Sequence, residues 1–136
     1  MTPAKPLDVV AAFLNAMEAM DFEAGCRLVA PDCEYTNLPM GTARGPEGVR
    51  ATLEPFFAPT LSNQFLVTRQ VADGDTVVME RLDRHQLGPE RWAELPVIGI
   101  FEVKDGLITV WREYFDLGTL LGQWPELQQA MASPQT

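Results

Sequence analysis

Two short glycine-containing turns constrain the fold most strongly, because they divide the second half of the chain into long strands. Asp73-Gly74-Asp75 and Lys104-Asp105-Gly106 each separate two stretches rich in β-branched and aromatic residues. An Asp-Gly pair in that setting is typical of a β-hairpin. Four strands are predicted, over residues 61–71, 76–87, 92–103 and 107–116. This half of the chain is therefore expected to form an antiparallel meander.

The first half of the chain has helical periodicity instead. Leu7, Val10, Leu14 and Met17 share one face of a helix predicted from Pro6 to about residue 20. Four further elements are predicted: a helix capped by Asp21 that ends by residue 28, a strand over 33–38, a helix that begins at Gly45 and that Pro55 kinks or ends, and a last helix over 117–124. Helices followed by a meander indicate an α+β fold, with the helices packed on one face of a curved sheet.

Size and charge narrow the possible classes of protein. The 136 residues suit a single domain over 1–136, with a tail from about residue 131 that we expect to be frayed. The formal net charge is -9, which disfavours binding to nucleic acid or to an anionic membrane surface. No stretch approaches the roughly 18 apolar residues of a membrane span, and the first residues lack the apolar core of a signal peptide.

The cysteine and histidine content bears on compartment and cofactor. Cys26 and Cys33 form neither a C-x-x-C motif nor a dense disulfide framework. We interpret them as reduced thiols in a cytoplasmic protein, with a disulfide as the less favoured alternative. His85 is the one histidine, so a histidine-rich metal site cannot be assembled.

Polar residues follow the apolar side of the second long strand. Alternation places Val77, Met79, Arg81, Asp83 and His85 on one face. Because the two apolar residues should face the core, the charged residues should point inward as well, and a buried charge needs a partner. A structural ion pair near the end of a strand explains the same pattern, so this alternative stays open.

Two further short patterns resemble the first. Tyr35 and Asn37 are two residues apart and share a face of the first predicted strand. We expect Arg112, Tyr114 and Asp116 to share a face where the last strand leads into the last helix. An Asp that precedes Leu-Gly-Thr-Leu is also a typical helix N-cap, so its position alone does not assign it a chemical role.

Taken together, these polar residues resemble the limonene-1,2-epoxide hydrolase family. The pattern is Tyr35-x-Asn37, then Arg81-x-Asp83, then Asp116 at the end of Trp-Arg-Glu-Tyr-Phe-Asp. The similarity extends over nearly the whole chain. The closing hairpin is shared more widely, across the nuclear-transport-factor-2-like (NTF2-like, SnoaL-like) superfamily. The resemblance implies a cone-shaped, strongly curved mixed sheet whose N-terminal helices close a deep pocket. It also implies a homodimer that needs neither metal nor organic cofactor.

The resemblance also implies a role for each polar residue in the hydrolysis of an epoxide to a vicinal diol. Asp116 resembles the general base, which together with Tyr35 and Asn37 holds the attacking water. Asp83 resembles the general acid that protonates the epoxide oxygen. Arg81 is expected to lie between the two aspartates and to orient both. The implied partners are a small-molecule epoxide and water.

The expected pocket wall bears on the substrate. Alternation makes Met79, Ile98 and Ile100 candidate wall residues, and such a lining suits an apolar cyclic or terpenoid epoxide. His85 departs from an apolar wall and is expected to add a polar contact. Pro96 lies inside a predicted strand and cannot donate a ladder hydrogen bond, which predicts an edge, a bulge or a break there.

Three other functions are compatible with the same fold. An epoxide-opening polyketide cyclase would use an internal hydroxyl group in place of water. A ketosteroid-isomerase-like enzyme would shuttle a proton with an aspartate base. A binding module would leave Arg81 and Asp83 as a buried pair and Asp116 as a helix cap.

Overall fold

The computed structural model describes residues 5–132, which form a six-stranded sheet with helices packed against it. The helices are α1 (Pro6–Glu18), α2 (Phe22–Cys26), α3 (Gly45–Phe57), α4 (Leu117–Gln123) and α5 (Pro125–Ala132). The strands are β1 (Val29–Asn37), β2 (Gly41–Arg44), β3 (Ser62–Asp73), β4 (Thr76–Gly88), β5 (Arg91–Lys104) and β6 (Leu107–Tyr114).

The strands are ordered β2-β1-β6-β5-β4-β3. Strands β3 to β6 form the predicted antiparallel meander, and β1 lies parallel to β6, so the sheet is mixed. The two Asp-Gly turns connect its long hairpins, with Gly74 at φ +59° and Gly106 at φ +77°, a backbone region that glycine adopts readily. The predicted α+β fold with a curved mixed sheet is confirmed.

Helix α1 packs its apolar face across the sheet. Val10, Phe13 and Met17 are almost fully buried. The Phe13 ring meets the Trp111 ring edge-on, with 5.0 Å between the centroids, an arrangement that aromatic pairs favour. Helices α2 and α3 extend this core, so the helices cover one face of the sheet and leave a cavity toward α4 and α5.

Four local predictions need correction. Strand β2 was not predicted, since its four residues pair only with β1. Helix α5 was not predicted either, and it reaches Ala132. The frayed tail expected from about residue 131 stays a prediction, and 133–136 lie outside the described residues. Pro55 does not end α3, which continues to Phe57. The strand predicted over 107–116 ends at Tyr114.

Pro96 lies where β5 has a free edge, as predicted. Strand β6 ends at Tyr114, opposite Ile98, so β5 has no strand neighbour on that side at Pro96. The side chain of Gln123 forms hydrogen bonds with this free edge of β5. It donates to the carbonyl of Glu94 at 2.7 Å and accepts from the N–H of Glu94 at 2.8 Å. Across 5–132, none of the helices has the length and apolar character needed to span a membrane.

Candidate active site

A cavity of about 310 Å³ lies between the sheet and the helices. Its lining is mostly apolar, and the polar groups are gathered at one side. The apolar lining includes Leu14, Met17, Leu53, Phe56, Phe57, Phe65, Leu95, Val97, Phe115, Leu120 and Leu127. The polar lining includes Tyr35, Asn37, Arg81, Asp83, His85 and Glu113. A mostly apolar cavity with a few polar groups is the usual form of a small-molecule site.

A buried guanidinium organises the polar side of the cavity. Arg81 donates to both carboxylate oxygens of Asp83, from Nε and Nη2, at 2.9 Å each. It also donates to both carboxylate oxygens of Glu113, from Nη1 at 3.1 Å and from Nη2. The Arg81 side chain is 1% exposed and each carboxylate side chain 8%. Two bidentate pairs on one guanidinium fix the positions of both carboxylates.

The strand geometry explains how this cluster forms. Arg81 and Asp83 lie on the inward face of β4, as alternation predicted. Fully ionised, one guanidinium and two carboxylates carry a net charge of -1, and burial makes that charge costly. Burial raises the pKa of Glu113 above its ordinary value, although Arg81 opposes the shift. One proton bound by the cluster makes it neutral.

The structure does not bring Asp116 to this cluster. Asp116 is exposed at the N-cap of α4, where its carboxylate accepts hydrogen bonds from Thr119 N–H at 2.8 Å and Thr119 Oγ1 at 2.7 Å. These bonds lower the pKa of Asp116, the hydroxyl bond most. Its predicted position beside Asp83 is therefore wrong, and the carboxylate found there is that of Glu113.

Asp116 was predicted at the cluster because the inward-facing and outward-facing positions of β6 were assigned the wrong way round. Trp111 and Glu113 face inward, whereas Arg112 and Tyr114 face outward, the reverse of the expected arrangement. The sequence contained the signal that gives the right answer. Counting by two from Trp111, the largest apolar residue of the strand, places Glu113 on its buried face.

Tyr35 and Asn37 lie next to Glu113, on the neighbouring parallel strand β1. Asn37 is the register partner of Glu113, and the Tyr35 ring stacks on Trp111 with 4.0 Å between the centroids. Asn37 Nδ2 donates to the Tyr35 hydroxyl oxygen at 3.0 Å. The phenolic O–H remains available to donate into the cavity. Burial raises the pKa of Tyr35 above its ordinary value, with the charge of Glu113 next in effect, so the hydroxyl stays protonated.

Gly99 leaves the space that the ion cluster occupies. It lies on β5 opposite Glu113, and a Cβ atom built there would be 2.6 Å from Glu113 Oε2 and 2.8 Å from Arg81 Nη1. Since real Cβ contacts are longer than this and both neighbours are held by several hydrogen bonds, a side chain at this position would displace the cluster. Sequence reasoning had not singled out this glycine.

His85 lines the cavity beyond Asp83, on the same face of β4. Its ring is enclosed by Phe56, Phe57 and Trp124, with centroid distances of 5.1, 5.7 and 6.0 Å. Nδ1 lies 2.7 Å from Asn63 Oδ1. Burial lowers the pKa of His85 to about 4, so the ring is neutral at physiological pH. His85 therefore lines the cavity with a neutral ring, and the polar contact expected of it stays a prediction.

The other three predicted wall residues do not line the cavity. Met79 faces inward, as predicted, but it is buried in the core, where its sulfur lies 3.8 Å from Arg81 Nη1. Ile98 and Ile100 lie on the outward-facing positions of β5, and Ile98 is 40% exposed. The inward positions of that strand belong to Leu95 and Val97, which form part of the wall.

Comparison with known proteins identifies the family. A sequence profile of the limonene-1,2-epoxide hydrolase catalytic domain matches residues 4–126. The chain belongs to this family. Its match covers nearly all of the chain, including every polar residue of the cavity. The predicted resemblance is confirmed, and the chain is accordingly an enzyme of the epoxide hydrolase class.

Two relatives from Mycobacterium tuberculosis support the assignment of this limonene-1,2-epoxide hydrolase family member. Epoxide hydrolase EphG is 38% identical over 108 residues, which cover 79% of this chain and 71% of that protein. A solved structure of an LEH-like (limonene-1,2-epoxide-hydrolase-like) epoxide hydrolase has 31% identity and a TM-score of 0.76, and the match covers 96% of both chains.

More distant structures share the fold alone. A protein from Shewanella denitrificans that is assigned as a SnoaL-like polyketide cyclase aligns with a TM-score of 0.78 at 14% identity, over 89% of this chain and 97% of its own. The predicted NTF2-like and SnoaL-like relationship is therefore confirmed at the level of architecture.

Proposed function

We propose that this epoxide hydrolase opens an apolar epoxide to a vicinal diol in one step, with Glu113 as base and Asp83 as acid. The supporting observation is the double bidentate pairing of Arg81 with these two buried carboxylates at one side of an apolar cavity. The proposal moves the base from Asp116 to Glu113 and keeps the other roles that the resemblance implied.

The nucleophilic water belongs on the Glu113 side of Arg81. Neighbouring strands are about 4.8 Å apart, so the side chain of Asn37 stands next to Glu113, its register partner. The Asn37 carbonyl oxygen, the Tyr35 hydroxyl and the Glu113 carboxylate supply the acceptors and the donor that hold one water molecule. As the water oxygen attacks an epoxide carbon, its proton passes to Glu113.

The leaving oxygen belongs on the Asp83 side. In the reactive form the proton bound by the cluster is on Asp83, and Glu113 is ionised. The carbon–oxygen bond breaks while Asp83 transfers its proton to the epoxide oxygen, so the product is a neutral diol. Glu113 ends protonated and Asp83 ionised, and proton exchange with solvent restores the starting form. The step as proposed uses no covalent intermediate and no metal or organic cofactor.

The apolar lining favours a cyclic or terpenoid epoxide. Aromatic and branched aliphatic side chains make up most of the apolar lining of the cavity. Such walls contribute by removing apolar surface from water, about 25 cal/mol per Å² buried. They position the ring of the substrate with its epoxide toward Arg81.

Diol formation from a small epoxide panel tests the proposal. We expect the protein to convert limonene 1,2-epoxide and cyclohexene oxide to diols, and to bind bulkier steroid epoxides less well, because the cavity is about 310 Å³. Gas chromatography of the extracted products, with and without protein, measures this. A cyclic ether from an epoxy alcohol together with no diol from the whole panel would instead indicate a cyclase.

The proposal includes a cytoplasmic homodimer formed through the outer face of the sheet. Ile98 and Tyr114 are register partners on that face, and both are exposed. Val71 and Leu66 on β3 are exposed as well, which is more apolar surface than isolated side chains usually present. Sedimentation velocity is expected to show a dimer in the parent protein and a monomer after Ile98→Glu. A monomeric parent protein would contradict this part.

A further inference from the structure

The nitrogen of His85 that does not contact Asn63 has no hydrogen-bond partner within residues 5–132. The His85 residue is only 2% exposed, and its ring forms part of the cavity lining. Among the described residues, Trp111 Nε1 is a polar atom that has neither a hydrogen-bond partner nor accessible surface. His85 Nε2 does not belong to that class, so it keeps some accessible surface. A polar atom in an apolar cavity wall needs a hydrogen-bond partner, and a ligand bound in the cavity would supply that partner.

A chain of hydrogen bonds determines which nitrogen of His85 carries the proton. The Thr60 hydroxyl lies 2.7 Å from the carbonyl oxygen of Phe57, which can only accept, so Thr60 donates there. Asn63 Nδ2 therefore donates to Thr60 Oγ1, at 2.8 Å. This leaves Asn63 Oδ1 facing His85 Nδ1, and a carbonyl oxygen can only accept. Nδ1 must carry the proton, and Nε2 presents a lone pair.

The geometry points to a substrate that carries a hydroxyl group remote from its epoxide, which donates a hydrogen bond to Nε2 of His85. This inference rests on the proposed function, since it names the substrate class of the same cavity. His85 is then a specificity-determining residue, and Asn63 with Thr60 are positioning residues that fix its tautomer. A neutral donor suits this position because the carboxylates that line the cavity, Asp83 and Glu113, are already paired with Arg81.

The spacing along β4 sets where the hydroxyl lies on the substrate. Asp83 and His85 are two residues apart on one face, which separates their Cα atoms by about 6.6 Å. A hydroxyl on the carbon next to the epoxide is too close to its oxygen to reach both residues. A hydroxyl several bonds away fits, as in the 1,2-epoxide of α-terpineol, where ring and side chain separate the two oxygens.

A matched pair of substrates tests the inference. The 1,2-epoxide of α-terpineol and its methyl ether share the ring, the epoxide and the side chain, but only the alcohol can donate. We expect the parent protein to prefer the alcohol in kcat/KM by about tenfold, the effect of one buried hydrogen bond that would otherwise leave an acceptor unpaired. His85→Phe is expected to abolish that preference. Equal use of both substrates by the parent, or an unchanged preference in the variant, would overturn the inference.

Two further measurements separate this outcome from failure to fold and from failure of the proposed function. The double variant His85→Phe/Asn63→Leu removes both partners of the buried hydrogen bond, and must show the same loss of preference with a cooperative melting transition. Calorimetric binding of α-terpineol and its methyl ether needs no turnover. If the parent forms no diol at all, the proposed function fails, and the affinity ratio of these two ligands still decides the inference.

The single histidine of the chain allows a direct spectroscopic test. Long-range ¹H–¹⁵N spectra of untagged, ¹⁵N-labelled protein report this one ring without assignment. We expect the Nδ1–H tautomer in the free protein, and an upfield shift of the Nε2 resonance when α-terpineol, but not its methyl ether, is added. A proton found on Nε2 in the free protein would contradict the inference.

Discussion

Glu113→Gln is expected to remove diol formation almost completely, whereas Asp116→Asn is expected to leave it within about twofold of the parent. Loss of a general base typically lowers the rate by about 10²–10⁴-fold. Glutamine keeps the shape of the side chain and one oxygen that accepts from Arg81, but it cannot accept a proton from water. Steady-state rates on limonene 1,2-epoxide measure the contrast.

The matched control makes this prediction specific, because both substitutions replace a carboxylate by an amide within four residues of sequence. Asparagine is as good an N-cap as aspartate, so α4 should keep its start and its hydrogen bonds to Thr119. Far-ultraviolet circular dichroism and thermal melting should show both variants folded. Normal turnover by Glu113→Gln, or loss of turnover in a folded Asp116→Asn, would return the role of base to Asp116.

Most of the fold follows from sequence patterns that need no tertiary information. The Asp-Gly turns, the alternation within β4 and the helical spacing of α1 each rest on residues close in sequence, and the structure confirms all three. Strand β2 and helix α5 were missed because their stability comes from partners elsewhere. Strand β2 pairs only with β1, and α5 buries Leu127 in the cluster around Trp124.

The residues of the candidate site could be predicted on those strands where alternation alone shows which side chains face inward. Arg81 and Asp83 follow Val77 and Met79 without interruption, so their inward position was correct. On β6 a register irregularity occurs opposite Glu102 and Val103, and the buried residues Ile108 and Trp111 are three apart. Alternation therefore changes phase within the strand, and reading it across that point leads to Asp116 instead of Glu113.

The cavity wall shows the same limit in a second strand. Alternation predicted that Ile98 and Ile100 face inward, yet Val97 and Gly99 hold the inward positions. Apolar residues on the outer face of this sheet are compatible with burial against a second protein chain. The sequence of one chain does not distinguish such residues from those buried in its own core. The small inward residue Gly99 is needed because Arg81 and Glu113 fill the space beside it.

Arg81→Met is expected to give the largest loss of stability, about 3–5 kcal/mol at neutral pH, as for other buried ion pairs from which one partner is removed. The substitution leaves Asp83 and Glu113 facing each other without a cation, each with a side chain only 8% exposed. Activity should be lost too, since neither carboxylate keeps its orientation. Urea denaturation at several pH values measures the free energy of unfolding.

The pH dependence of that loss identifies its cause. Without Arg81, the pKa of Glu113, which burial already raises, should lie further above its unfolded value, because the cation that opposes the shift is gone. Such a group destabilises the fold progressively as pH rises through its unfolded pKa, near 4, toward the raised one. The difference between Arg81→Met and the parent should therefore shrink when the pH is lowered to about 4.

Arg69→Met is the matched control for this experiment. It removes the same charged group from the adjacent strand β3, where Arg69 pairs with Glu80 and is 81% exposed. Exposed ion pairs contribute little because water and salt screen them, so the urea midpoint should change only slightly and without this dependence on pH. If the two arginine variants lost similar amounts of stability, Arg81 would not be the residue that holds the two carboxylates in place.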